Sequence, residues 1–174
     1  MKHVLSALAF AALAATPALA QEPGATARMI DANGEEVGTV AFQTTESGQL
    51  HLFVEMSGLA AGAHGFHVHE TGACEPEGGF ETAGGHYAGE MEHGVMAEGG
   101  PHPGDLPNVH VGQDGVLKVE FFTDDLSIDE EGENTLFDED GSAVVIHADP
   151  DDYSSQPSGE AGDRLACGVI EKAG

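Results

Sequence analysis

Six histidines and one aspartate carry side chains of the kinds that bind transition metals. They are His67, His69, His86, His93, His102, His147 and Asp105. Imidazole suits zinc, copper, iron and nickel, and six rings are enough for more than one ion. His67 and His69 are separated by one residue, so on a β-strand both rings point to the same side. The pattern predicts a metal centre with one rigid half on this strand.

Two kinds of segment must position these side chains. Residues 65–70 alternate Phe66 and Val68 with the two histidines, which predicts a strand with its apolar side chains in the core and its imidazoles on the other face. Residues 71–108 are rich in Gly and Pro with little periodicity, and a long irregular segment inside a compact domain is usually functional. Metal could organise this segment, because it contains His86, His93, His102 and Asp105.

The rest of the chain favours an all-β fold. Asn33-Gly34 between residues 26–30 and 37–43 predicts a hairpin. Further strands are predicted at residues 50–56, 116–122, 143–147 and 164–170, with a short one at Leu136-Phe137, and residues 149–162 form a second long polar loop. Short strands joined by turns and two long loops predict a sandwich or flattened barrel.

The charge balance is strongly acidic. The 174 residues include 31 acidic and 5 basic side chains, a net charge of −26 with neutral histidines. Such a surface argues against nucleic acid and against anionic membranes as partners, because both carry negative charge.

The N-terminal segment is typical of a cleavable signal peptide. Lys2 precedes a mostly apolar run at residues 4–15, and Ala18-Leu19-Ala20 has the small-x-small pattern of a cleavage site. A transmembrane anchor is the alternative, but the run is too short to span a bilayer. We expect cleavage after Ala20, so that residues 21–174 form one exported domain.

Two cysteines, Cys74 and Cys167, fit this export signal. In an oxidising compartment an even count of two allows a single disulfide bond. A pair of buried free thiols is the less favoured alternative. A metal site built from cysteine alone is not expected with two thiols and so many histidines.

Four segments together resemble the copper/zinc superoxide dismutases of exported bacterial type. They read GFHVHE at 65–70, HPGDL at 102–106, VVIHAD at 144–149 and GDRLACGVI at 162–170. The motifs follow the family's order, both cysteines are correctly placed, and the resemblance covers nearly the whole mature chain. The resemblance implies an eight-stranded antiparallel Greek-key β-barrel with two long functional loops, which agrees with the strand reading. The chain departs from the family pattern after His86-Tyr87, where the proline common in the family is absent.

The resemblance also implies one copper and one zinc per subunit. Its copper ligands match His67, His69, His86 and His147. Its zinc ligands match His86, His93, His102 and Asp105, so that His86 bridges both ions. Four nitrogens suit Cu(II), while three nitrogens and one carboxylate suit a closed tetrahedral zinc site.

The implied activity is dismutation of superoxide to O2 and hydrogen peroxide by alternating reduction and reoxidation of copper. Arg164 matches the arginine that guides the anion, and His86 would carry a proton. Asp151 matches a carboxylate that orients His67 and His93, with Asp149 and Asp152 as near neighbours. His51, His64 and His110 match no ligand and are expected to be exposed or hydrogen-bonded.

The implied location is the periplasm, and the family contains both monomers and homodimers. Two other readings on the same fold are a copper-carrying or copper-buffering protein with little turnover, and a zinc-only structural relative. The first predicts a degraded anion site, yet Arg164 is retained. The second predicts missing copper ligands, yet all four are present.

Overall fold

The computed structural model describes residues 23–174, so the predicted signal peptide at residues 1–20 lies outside the described residues. The regular structure in this range is eight β-strands and one short 3-10 turn at Glu81–Ala83. Within the same range, no helix has the length and apolar character that crossing a membrane requires. The strands are β1 Ala25–Asp31, β2 Glu36–Thr44, β3 Leu50–Met56, β4 Gly62–His69, β5 Asp105–Val111, β6 Leu117–Thr123, β7 Ala143–His147 and β8 Arg164–Lys172.

The strands form one antiparallel sheet in the order β5-β4-β7-β8-β1-β2-β3-β6. The sheet curls into a nearly closed barrel, with β5 and β6 at its two edges. The β4–β7 and β8–β1 pairs join strands that are distant in sequence, as a Greek-key path requires. The predicted all-β Greek-key fold is therefore confirmed.

The barrel core follows from alternation along the strands. On β3, Leu50, Leu52, Val54 and Met56 are buried while the residues between them are partly exposed. The β1–β2 hairpin turns at Gly34, whose φ of 76° is a conformation that glycine adopts without strain. Alternating burial of this kind fixes the register, because a slip by one residue would move every apolar side chain to the solvent face.

Two predictions about individual strands were wrong. The segment predicted to be irregular, 71–108, ends inside strand β5. The alternation of β5 is interrupted by a register shift opposite β4, so that Leu106 and Val109, three positions apart, are both buried. Pro107 is exposed, as is usual for a proline on an edge strand. The strand predicted at Leu136-Phe137 is absent; the structure has an isolated bridge nearby, and Leu136 is a buried residue within a loop.

Two long connections lie over the end of the β4–β7 pair. We call residues 70–104, between β4 and β5, the ligand loop, and residues 148–163, between β7 and β8, the covering loop. A disulfide joins Cys74 in the ligand loop to Cys167 in β8, which confirms the predicted bridge. A small apolar cluster surrounds it, containing Phe80, Ala83, Ala143 and Val145. The first part of the ligand loop is thereby fixed against the barrel wall.

Candidate metal centre

Four histidines meet at the end of the β4–β7 pair, and we call them the four-histidine group. His67 and His69 come from β4, His147 from the last position of β7, and His86 from the ligand loop, where it forms an isolated bridge with His69. One nitrogen of each ring lies within 4.8 Å of the others. All four residues are buried, and Phe66 and Val68 face the core as the alternation predicted.

Hydrogen bonds on one side of each strand-borne ring fix which nitrogen is free. His69 Nδ1 lies 3.0 Å from the Gly84 carbonyl oxygen and His147 Nδ1 lies 3.2 Å from that of Gly162. A carbonyl only accepts, so these Nδ1 atoms carry hydrogen and the Nε2 atoms carry lone pairs. The two Nε2 atoms are 3.4 Å apart. This arrangement leaves two lone pairs on neighbouring nitrogens, close enough for one ion to bind both.

A second group shares His86 and forms around a carboxylate oxygen, and we call it the histidine–aspartate group. Asp105 Oδ1 lies 2.8 Å from His86 Nδ1, 3.0 Å from His93 Nδ1 and 3.2 Å from His102 Nδ1. The other oxygen, Oδ2, accepts hydrogen bonds from the Gly94 and His102 N–H groups. Ligands about 2.0–2.2 Å from a tetrahedral zinc would be separated by about 3.3 Å, close to these spacings.

The hydrogen bonding of three buried ring nitrogens shows whether a metal ion fits the two groups. His67 Nδ1, His86 Nε2 and His93 Nδ1 have no hydrogen-bond partner. His93 Nδ1 is 3.0 Å from Asp105 Oδ1 without hydrogen-bond geometry, as expected for two ligands of one ion. An unpaired buried polar atom costs about 1–3 kcal/mol, and coordination removes that cost. The donor set therefore fits copper at the four-histidine group and zinc at the histidine–aspartate group.

Burial lowers the pKa values of three histidines in the four-histidine group. Burial, with a smaller effect of His67, lowers the pKa of His147 to about 3, and burial lowers that of His86 to about 4 against the opposing bond to Asp105. Burial and His86 also hold the pKa of His69 well below its usual value. At neutral pH these rings are uncharged, so each offers one lone pair to an ion, and His86 would release one further proton if it bound ions through both nitrogens.

The Asp105 and Asp151 carboxyls are held in the charged form. Burial raises the pKa of Asp105, but the hydrogen bond with His86 and the N–H group of Gly94 outweigh it, and the pKa lies below its usual value. For Asp151, hydrogen bonds with His67 and His93 likewise outweigh burial and lower the pKa. Both oxygens therefore stay available as acceptors or ligands at neutral pH.

Asp151 connects the two groups through its side chain. Its Oδ2 lies 2.9 Å from His67 Nε2, and its Oδ1 lies 3.0 Å from His93 Nε2. Gly159 packs directly against this contact, because a Cβ there would overlap Asp151 Oδ1 and lie 2.6 Å from His93 Nε2. The structure thus places the carboxylate that sequence analysis named between one histidine of each group. Asp152 is exposed and bonds Ser154 and Ser155 instead.

A cavity of about 730 Å³ opens onto the four-histidine group. His69, His86, His147 and Arg164 line it, together with Pro157 and Ser158 of the covering loop. The Arg164 guanidinium donates to the carbonyl oxygens of Phe80 and Gly84, both at 2.7 Å. These bonds hold a permanent positive charge at the cavity wall.

Arg164 differs from the other basic residues of residues 23–174. Arg28 pairs with Glu36, Lys118 with Glu55 and Lys172 with Glu130. Arg164 has backbone carbonyls as its partners, and within the described chain no carboxylate lies within salt-bridge distance of it. Its charge is therefore the one among these four that a neighbouring acid does not offset, and it lies beside the histidines.

Among the described residues, His51, His64 and His110 belong to neither group. His64 is buried, with its ring nitrogens facing the carbonyl oxygens of His147 and Ala60. His51 stacks on Phe122, and His110 is exposed on β5. Sequence analysis did not identify the amides Asn108 and Gln156, which contact Asp151 and His93. No spacing pattern could have found them, because amides are common in polar segments.

Comparison with known proteins places the chain beside one family. The family model described as copper/zinc superoxide dismutase (SODC) matches residues 36–170. A superoxide dismutase [Cu-Zn] of Aquifex aeolicus is 39% identical over 155 residues, covering 88% of this chain and 90% of its own length. The superoxide dismutase [Cu-Zn] of Caulobacter vibrioides is 42% identical over 151 residues, covering 84% and 85%.

Solved structures give the same result for the fold. The superoxide dismutase-like protein of Bacillus subtilis superposes with a TM-score of 0.78 at 36% identity, covering 83% of this chain and 96% of the other. The Cu/Zn superoxide dismutase of Brucella abortus gives a TM-score of 0.65 at 36% identity, covering 84% and 98%.

Proposed function

The chain belongs to the copper/zinc superoxide dismutase family, and we propose which of its residues carry out the conversion of superoxide into O2 and hydrogen peroxide. His67, His69, His86 and His147 hold copper, and His86, His93, His102 and Asp105 hold zinc. The observation that carries this assignment is the pair of ligand groups sharing His86, with buried lone pairs that find no partner in the protein.

The two ions supply different chemistry. When bound, copper supplies the one-electron oxidation and reduction of successive superoxide ions, and zinc fixes the imidazole and loop beside it. The protein contributes four nitrogens in fixed directions. Three of them are on strand residues, and hydrogen bonds to Gly84, Gly162 and Asp151 orient their rings. Such partners typically raise ligand basicity and metal affinity.

Arg164 is proposed to bind the substrate anion. Its guanidinium lines the cavity beside His147 and is held by the Phe80 and Gly84 carbonyls. Arginine offers several donors in a fixed plane, and bonds to two carbonyls leave further N–H groups for a small oxyanion. Substrate bound here lies next to the four-histidine group.

His86 is proposed to hold and deliver a proton. Forming hydrogen peroxide from two superoxide ions consumes two protons, with O2 as the other product. His86 lines the cavity, and its Nε2 is buried without a protein partner while Nδ1 stays beside Asp105. With its Nδ1 lone pair given to zinc, the ring would carry a proton at Nε2 and stay uncharged, while keeping its place in the histidine–aspartate group.

Metal content and superoxide consumption test the proposal together. We expect one copper and one zinc per chain, and turnover that requires the copper. His147→Asn should lower copper content without removing zinc, because His147 belongs to the four-histidine group alone. Near-background turnover of protein carrying one copper would contradict the residue assignment and favour a copper-buffering role. The cavity position of Arg164 supports the enzyme instead.

The location and assembly of the protein are also proposals. The Cys74–Cys167 disulfide fits an exported protein. We place the protein in the periplasm, with residues 1–20 removed as a signal peptide and residues 21–174 forming the mature domain. N-terminal sequencing of the exported protein tests the cleavage after Ala20. The family contains both homodimers and monomers, and light scattering on the mature protein distinguishes the two states.

A further inference from the structure

Two side-chain amides hold the two residues of the link between the metal groups. That link is the hydrogen bond between Asp151 Oδ1 and His93 Nε2. Asn108 bonds the backbone of Asp151, and Gln156 bonds the backbone of His93. In each case the amide oxygen accepts from the N–H and the amide nitrogen donates to the C=O of the same residue.

The Asn108 contact joins the barrel to the covering loop. From β5, Asn108 Oδ1 accepts from the Asp151 N–H and Nδ2 donates to the Asp151 carbonyl, both at 2.8 Å. The Asn108 N–H also donates to the Tyr153 hydroxyl at 2.9 Å. A loop residue is thereby paired with a strand residue through two bonds, much as in a sheet. A shift of the Asp151 backbone away from β5 would break both bonds and would carry the carboxylate away from His67 and His93.

The Gln156 contact joins the covering loop to the ligand loop. Gln156 Oε1 accepts from the His93 N–H at 2.9 Å, and Nε2 donates to the His93 carbonyl at 2.9 Å and to the Ser154 carbonyl at 3.1 Å. Although Gln156 as a residue is exposed, its amide oxygen and nitrogen are all engaged within the protein. This orientation of the amide is the one that matches each donor with an acceptor.

His93 forms hydrogen bonds with two residues of the covering loop. The loop supplies Asp151 to its ring and Gln156 to its backbone. Neighbouring residues also hold the ligand loop against the covering loop. The Met96 N–H donates to the Tyr153 carbonyl, and Gly94 lies so close to that carbonyl that no side chain would fit. His93 is 0% exposed, so its ring has no free space around it. A small shift of the His93 backbone would therefore press the ring against its neighbours.

We propose that Asn108 and Gln156 are positioning residues for the metal centre, with Gln156 fixing His93 toward zinc and Asn108 fixing Asp151 between the zinc and copper groups. The inference rests on the proposed zinc site. It predicts an asymmetry, because Asp151 contacts a ring of each group whereas Gln156 contacts His93 alone among the ligands. Loss of Asn108 should disturb both metals, and loss of Gln156 should disturb zinc.

The test compares metal-loaded wild-type protein with Gln156→Met and Asn108→Leu, which keep side-chain volume and lose the hydrogen bonds. Gln113→Met is the matched control, because Gln113 is exposed in a turn. The measurements are zinc release to a chelator, the visible spectrum of cobalt(II) replacing zinc, and the electron paramagnetic resonance spectrum of copper(II). Loss of an outer contact of a ligand weakens metal binding about tenfold or more.

We expect about tenfold weaker zinc binding and an altered cobalt spectrum in both variants, with an altered copper spectrum in Asn108→Leu alone. Zinc binding within about twofold of wild type in Gln156→Met, with an unchanged cobalt spectrum, would overturn the role of Gln156. Should Asn108→Leu fail to fold, Asn108→Asp keeps the acceptor and removes the donor, and an unchanged zinc affinity there overturns its role. Wild-type protein that binds both metals without turnover would count against the proposed function and leave these comparisons valid.

Discussion

Arg164 and His69 donate hydrogen bonds to the same carbonyl oxygen, that of Gly84, at 2.7 and 3.0 Å. Gly84 lies in the ligand loop two residues before His86. One backbone carbonyl therefore helps to position both the Arg164 guanidinium at the cavity wall and one ring of the four-histidine group. Gly84 has a φ of 75°, a conformation that other residues rarely adopt, and a Cβ there would lie 2.9 Å from the Glu70 side chain.

Arg164→Lys should lower turnover although the positive charge is retained. An ammonium keeps the positive charge but cannot span the Phe80 and Gly84 carbonyls while also facing the cavity. A lost charge-assisted bond is worth about 1.5–3 kcal/mol, so we expect kcat/KM to fall about tenfold or more with copper content unchanged. The matched control is Arg28→Lys, since Arg28 pairs with Glu36 at the surface. Equal activity in both variants would show that the fork geometry is unimportant.

Turnover should rise with added salt. The net charge of −26 repels superoxide at long range, and three of the four basic residues in residues 23–174 are offset by acids. Salt screens this distant repulsion, with a Debye length of about 8 Å at physiological ionic strength, but screens a bound anion at Arg164 less. Second-order rate constants between low and physiological ionic strength measure the effect. A rate that falls with salt would instead show that local attraction dominates.

More of the four-histidine group than of its surroundings could be predicted from the sequence. His67 and His69 carry a clear signal, because alternation places both rings on one face. Strand β5 carried a weak one, because the register shift opposite β4 interrupts its alternation at Leu106 and Val109. Asn108 and Gln156 carried none, since their roles arise from contacts across 43 and 63 positions of the chain.

Asp151→Asn should weaken zinc binding about 10- to 100-fold. The carboxylate accepts from both His67 Nε2 and His93 Nε2, whereas an amide can accept through one oxygen and would turn its NH2 group toward the other ring. Zinc competition with a chelator measures the loss. Asp152→Asn is the control, because this neighbouring carboxylate is exposed and bonds Ser154 and Ser155. Comparable losses in the two variants would mean that the assignment of Asp151 is wrong.

Metal-free protein should lose stability as the pH falls below about 6.5. Burial lowers the pKa of His86 to about 4 and that of His147 to about 3, so the unfolded chain takes up protons that the folded chain does not. Stability is therefore full above the unfolded value and is lost on the way down to these folded values. Between pH 7 and 5 we expect a loss of roughly 2 kcal/mol per ring.

Urea unfolding of the metal-free protein at a series of pH values measures this loss. His147→Asn removes one of the three rings with lowered pKa values and should flatten the pH dependence. His110→Asn removes an exposed ring on β5 and serves as the control. An unchanged slope in His147→Asn would show that its burial carries no proton linkage.

Removing the disulfide should reduce both stability and turnover. The bond closes a loop with a sequence separation of 93 residues, which contributes about 4–5 kcal/mol in the chain-entropy description. Cys74 also fixes the part of the ligand loop that supplies the Phe80 and Gly84 carbonyls to Arg164. The double variant Cys74→Ala/Cys167→Ala should therefore unfold at lower urea and show weaker turnover even when fully loaded with metal. Wild-type turnover in that loaded variant would mean that the barrel holds Arg164 without help from the bridge.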